Sequence, residues 1–130
     1  MFTEKRKFKR LKAKDGAFAA FVRPNELIYM GQVQDISLGG LCVQYLSVDG
    51  GSEEYSELKI FGSNDRFIHV DKVECKIAYD HELPEYSWEQ ISIRRCGVEF
   101  RNLSVRHLAM IQDFIDHFTF AEPDSQSSAG

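Results

Sequence analysis

Only three cysteines, three prolines and one tryptophan occur in the 130 residues of this chain. Cys42, Cys75 and Cys96 form an odd set with no C-x-x-C spacing, which excludes a disulfide framework and a closed zinc site and leaves buried thiols as the expectation. No apolar run reaches the roughly 18 residues that a membrane-spanning helix needs. Met1-Phe2-Thr3 passes straight into charge, without the apolar stretch of a secretory signal. A cytoplasmic location without membrane attachment is therefore expected. Also missing are the G-x-S-x-G, P-loop and H-E-x-x-H motifs. His69, His81, His107 and His117 stand beside Asp113 and Asp116 as the obvious chemical groups, but His117 lies four residues after Asp113, the spacing of a solvated surface pair on a helix. Neither catalysis nor a metal site nor a cofactor is expected.

What the chain does have is the composition of a folded domain, with 43% hydrophobic and 28% charged residues. Residues 1–120 read as one domain, since this length buries a single core. The polar tail over 121–130 has nothing to pack and reads as disordered. The net charge of -4 hides an asymmetry. Residues 1–12, within a basic arm over 1–14, carry six of the sixteen basic residues and one of the twenty acidic ones, which leaves residues 13–130 with a net charge of -9. Such a molecule draws a compact anion to one end and opposes a long polyanion, which argues against nucleic acid as a partner.

From Gly16 to Phe100 short alternating segments are separated by Gly, Asn, Asp, Ser and Pro clusters, the pattern of antiparallel strands. The pieces are Ala17 to Val22, Ile28 to Ile36, Leu41 to Leu46, Leu58 to Phe61, Phe67 to Val70, Val73 to Tyr79, Ile91 to Arg94 and Cys96 to Phe100. Val73, Cys75, Ile77 and Tyr79 supply one core-facing row, and Cys96, Val98 and Phe100 another. So many strands in so few residues suggest a mainly all-β domain closed into a barrel, which removes exposed edges. At Ser104, an N-cap residue, the period changes. Leu108, Ile111, Ile115 and Phe118 then share one face, widened by Met110 and Phe114, so one helix is expected over about 104–118, packed on the barrel.

Two motifs carry chemistry. Arg6-Lys7-Phe8-Lys9-Arg10 sets two guanidiniums on one side of an extended chain, about 13 Å apart. Each is a planar fork suited to phosphate oxygens or a guanine O6/N7 edge. Asp35-Ile36-Ser37-Leu38-Gly39-Gly40 ends one strand and begins the next. Asp35 and Ser37 share a face, where a carboxylate and a hydroxyl converge on the donor edge of a guanine. The glycines suit positive φ in the turn and a close approach of ligand to backbone. The plainer reading of D-x-S-x-x-G is a side-chain-capped hairpin turn. Each motif alone is weak, but both in this order would coincide in roughly one chain in a hundred at average composition.

Together they resemble the signature of the PilZ domain family, R-x-x-x-R in an N-terminal loop followed by [DN]-x-S-x-x-G on the barrel, present here without substitution. Gly31-Gln32-Val33 leading into Asp35, Cys96-Gly97-Val98-Glu99-Phe100 as a late strand, and the terminal helix extend the resemblance across most of the chain. It implies a six-stranded antiparallel β-barrel with a C-terminal α-helix, and the basic N-terminal arm before it is expected to be mobile. It also implies a receptor for the bacterial second messenger cyclic di-GMP, with Arg6, Arg10, Asp35, Ser37 and Gly40 as the ligand-binding residues and a downstream protein effector as its partner. Ordering residues 4–12 from a free coil would cost about 1 kcal/mol per residue or more. An arm that closes over the ligand and creates a new surface for that effector is the expectation. Two alternatives remain at this point: a PilZ-like interaction module that binds no nucleotide, and a barrel for single-stranded nucleic acid.

Overall fold

The structure is a computed structural model that describes residues 9–23, 26–48 and 57–120. Arg6 and the tail over 121–130 lie outside the described residues. Seven strands and one α-helix follow in chain order: β1 (Leu11–Lys12), β2 (Ala17–Arg23), β3 (Glu26–Ser37), β4 (Gly40–Ser47), β5 (Glu57–Ser63), β6 (Phe67–Glu82), β7 (Ser92–Phe100) and α1 (Val105–Phe118). All pairings are antiparallel, and a pairing of β3 with β4 joins the two ends of the β3-β2-β5-β6-β7-β4 order. Six strands thus close on themselves as a barrel, and β1 is a short seventh that lies along β3 through Leu11↔Ile36 and Lys12↔Asp35.

The alternating residues fill the interior. Phe21, Ile36, Leu41, Val43, Leu58, Ile60, Val70, Val73 and Val98 are fully buried. Burying each such side chain stabilises by about 1.5–3 kcal/mol. One end is plugged by α1, whose Ile111, Phe114, Ile115 and Phe118 are buried while Leu108 stays 38% exposed. Phe118 can lie against the sheet because β5 has Gly62 there: a Cβ would sit 2.6 Å from its ring. Ser104 caps the helix, its hydroxyl accepting from His107 N–H at 3.0 Å, and His107 Nε2 bonds the Asp71 carbonyl at 3.0 Å. The start of the helix is thereby tied to β6.

The structure joins pieces that the sequence pattern separates. Phe67 to Val70 and Val73 to Tyr79 are one 16-residue strand, interrupted by a bulge at Asp71 and Lys72, where Lys72 takes φ 57°. Ile91 to Arg94 and Cys96 to Phe100 likewise belong to β7, apart from Ile91. Further bulges set the register between Val33 and Asp35 and between Ile77 and Tyr79. A bulge inserts one residue and turns the following side chains to the other face. Tyr79 therefore leaves the core row predicted for it and is 42% exposed on the outer wall.

The basic arm is fixed to the barrel over its second half. Ala13 N–H bonds the Gln34 carbonyl at 2.9 Å, Lys14 N–H the Phe118 carbonyl at 2.7 Å, and Phe120 N–H the Lys12 carbonyl at 3.0 Å. The chain at residues 11–14 thus runs between β3 and the segment leaving α1. Among the described residues no helix is long and apolar enough to cross a membrane.

Candidate ligand-binding site

The D-x-S-x-x-G segment turns β3 into β4. Val33 and Ile36 both point inward although three residues apart, because Gln34 is the extra residue of the bulge. Asp35 is consequently turned to the outer wall, opposite Cys42. Ser37 is buried and pairs with Gly40, and its Oγ accepts from Gly39 N–H at 3.0 Å. Its hydroxyl thus caps the hairpin, as the plainer reading has it. Positive φ is not the reason for the glycines here: among the described residues Gly16 is the glycine that adopts it. Gly40 is required by proximity instead. A Cβ at this position would lie 2.2 Å from the Val98 carbonyl oxygen and 3.3 Å from Arg10 Nη2.

Arg10 comes from the arm. Its Nη1 donates to Asp35 Oδ1 at 2.9 Å, with 18% of the Arg10 side chain and 36% of the Asp35 side chain exposed. The strand pairing of β1 with β3 produces this contact, because Lys12 stands opposite Asp35 and Arg10 lies two residues upstream on the same side. Of the five residues expected to bind ligand, Arg10, Asp35 and Gly40 meet around one guanidinium, Ser37 holds the turn beside them, and Arg6 lies outside the described residues.

Around this pair lies a groove of about 490 Å³ lined by Arg10, Lys12, Gln34, Asp35, Cys42, Tyr79 and Arg95. That volume is within the range of small-molecule sites. Its floor is a row across four strands, Asp35 (β3), Cys42 (β4), Gly97 (β7) and Tyr79 (β6), each paired with the next. Gly97 lets the Tyr79 ring lie flat on the wall, since a Cβ there would meet ring carbon Cε2. The Tyr79 hydroxyl donates to Cys42 Sγ at 3.4 Å, and its ring stacks on His81 with centroids 5.3 Å apart at 18°. Burial, then the bond to the thiol, pushes the Tyr79 phenol up to about 12. Burial also raises the Cys42 thiol. Both stay neutral at physiological pH, so the groove floor presents an aromatic face and no reactive thiolate.

Lys12, Gln34, Cys42, Tyr79 and Arg95 were not read as site residues from the sequence. Even spacing offered a signal for two of them: Lys12 is two residues from Arg10, and Arg95 two from Gly97. Tyr79 carried no such signal, because the Ala78 bulge that redirects it leaves no mark in the pattern. A second, more apolar hollow of about 310 Å³ adjoins on the same wall, lined in part by Phe18, Met30, Leu46 and Ile93. No group of three or more His, Cys, Asp or Glu that could hold a metal occurs among the described residues.

Compared with known families, the chain matches the one described as PilZ domain over residues 4–117. Among solved structures it is similar to the PilZ domain with c-di-GMP of YcgR from Escherichia coli, at 17% identity and a TM-score of 0.59, covering 88% of this chain and 91% of that one. It is also similar to YcgR in complex with c-di-GMP from Escherichia coli, at 16% identity and a TM-score of 0.61, covering 89% of this chain but 46% of that longer one. At these identities the likeness is one of fold. No curated protein matches the chain.

Proposed function

The chain belongs to the PilZ domain family, whose members are non-catalytic, and we propose that it binds cyclic di-GMP through Arg6, Arg10, Asp35, Ser37 and Gly40 and passes the signal to a protein effector. One observation carries the reading. Arg10 and Asp35, drawn from two motifs 25 residues apart, meet at 2.9 Å on the wall of one groove that also offers an aromatic face and further cations. Phosphate oxygens suit the guanidiniums, a guanine edge suits Asp35, and a base can stack on Tyr79. YcgR, which shares the fold, was solved with c-di-GMP.

The structure also revises the energetics of closing the arm. For residues 9–12 the ordering cost of roughly 1–2 kcal/mol per residue is met within the folded domain, by β1 and the Arg10–Asp35 pair. What the ligand adds on this reading is the Arg6 contact, and with it a composite surface of arm and nucleotide for the effector.

Calorimetric titration with cyclic di-GMP tests the assignment. Native chain should bind, and Arg10→Ala and Asp35→Ala should each lose about tenfold or more, the scale of one charge-assisted contact. Unchanged affinity in both variants would remove the site. The apolar hollow beside the groove favours a second reading, a module that works by protein contact alone; absence of heat with the native chain would select it.

A further inference from the structure

We infer that Arg95 is a further ligand-binding residue, outside both sequence motifs, and that it takes a phosphodiester group of the ligand. The inference rests on the cyclic di-GMP reading above. Arg95 stands on the outer face of β7, between Gln44 of β4 and His81 of β6, and lines the groove with Arg10, Lys12 and Tyr79. Its contacts are sparse for a half-buried guanidinium. Nη2 donates to Gln44 Oε1 at 3.1 Å, while Nε is buried with no hydrogen-bond partner among the described residues. Arg10 Nε shares that condition. A buried donor left unmatched is destabilising unless another conformation or another molecule satisfies it.

The charge count points the same way. Three cations, Arg10, Lys12 and Arg95, face the single carboxylate of Asp35 around the groove, a surplus of two positive charges. Cyclic di-GMP carries two phosphodiesters with one negative charge each. Arg10 is tied to Asp35 at one side of the groove, which leaves Arg95, held by the neutral amide of Gln44, as the guanidinium without a counter-charge. Rotation about its side-chain torsions trades that amide for a phosphate and presents Nε and an Nη together, the paired geometry that a guanidinium offers a phosphate.

Calorimetric titration with cyclic di-GMP at several salt concentrations, on the native chain, Arg95→Gln, Arg95→Lys and Gln44→Ala, decides the matter. Arg95→Gln should bind about 10- to 100-fold more weakly, as expected for a charged hydrogen-bonding contact, and with a shallower dependence on salt. Arg95→Lys should keep the native salt dependence with a smaller loss. Gln44→Ala, which frees the guanidinium, should bind at least as tightly as native. Arg95→Gln within twofold of native, or Arg95→Gln and Gln44→Ala weakened equally with the native salt dependence, would overturn the inference while leaving the parent reading intact. A native chain that gives no heat overturns both.

Discussion

Two regions of the barrel are made from the same three residue types, tyrosine, aspartate and arginine, and they are finished differently. On the inward side of β4, β6 and β7, Asp80 accepts from the Tyr45 hydroxyl and from Arg94 Nε at 2.9 Å, and Arg94 also reaches the Asp80 carbonyl and Ser92 Oγ, each at 3.3 Å. The Asp80 and Arg94 side chains are 5% and 13% exposed. Burial, then the bond to Asp80, raises the Tyr45 phenol far above its ordinary range. On the outward side, the side chains of Tyr79, Asp35, Arg10 and Arg95 each make a single hydrogen bond, and two arginine Nε groups are left unmatched. Arg94 and Arg95 are chain neighbours, yet one belongs to each region. Saturation of hydrogen bonding separates the group that holds the fold from the one to which ligand binding is proposed.

The contrast can be broken most forcefully on the inner side. Asp80→Ala leaves Arg94 as an uncompensated buried charge, and urea unfolding should show a loss of about 3–5 kcal/mol. A loss below about 1 kcal/mol would erase the distinction between the regions. Next in size is Gly97→Ala on the groove floor. The added methyl collides with the Tyr79 ring and should cost about 1–3 kcal/mol in stability. Cyclic di-GMP binding should fall with it. Full affinity in a folded Gly97→Ala protein would detach Tyr79 from the site.

The smallest expected effect is that of Tyr79→Phe, within about 0.5 kcal/mol at neutral pH because the bond to a thiol is weak and the residue is partly exposed. Its signature is in alkaline solution. The phenol is raised to about 12 from a value near 10 in the unfolded chain, so its contribution is complete below pH 10 and lost as pH climbs through 12. Phenolate absorbance of native minus Tyr79→Phe should therefore rise late, near pH 12; a difference spectrum with its midpoint already near pH 10 would place the hydroxyl in free solvent.

Most of the barrel was legible because alternation reports which face is buried, and the helix because its stripe and Ser104 cap are local. The motif residues were legible for the same reason. What could not be read was whatever depends on counting through a bulge. Val73, Cys75, Ile77 and Tyr79 run on in unbroken alternation, yet Ala78 is the inserted residue, so Tyr79 goes outward and Asp80 inward. The same effect at Gln34 sends Asp35 to the wall. The positive-φ role assigned to the Asp35–Gly40 glycines failed for another reason: Gly40 answers to a neighbouring carbonyl from β7, a contact between segments almost 60 residues apart in the chain.

One feature of the fold bears on how such a domain is wired to other proteins. The segment at residues 12–14 and the segment leaving α1 at 118–120 are hydrogen-bonded side by side, with Ala13 opposite Thr119. Entrance and exit of the folded unit therefore share an address, about one strand spacing apart and beside Arg10. A cargo fused after Phe120 is delivered next to the basic arm without a spacer, and a short loop joining the two segments would permit the chain to be opened elsewhere. The domain is in this sense a plug-in with both leads on the side of the Arg10 groove.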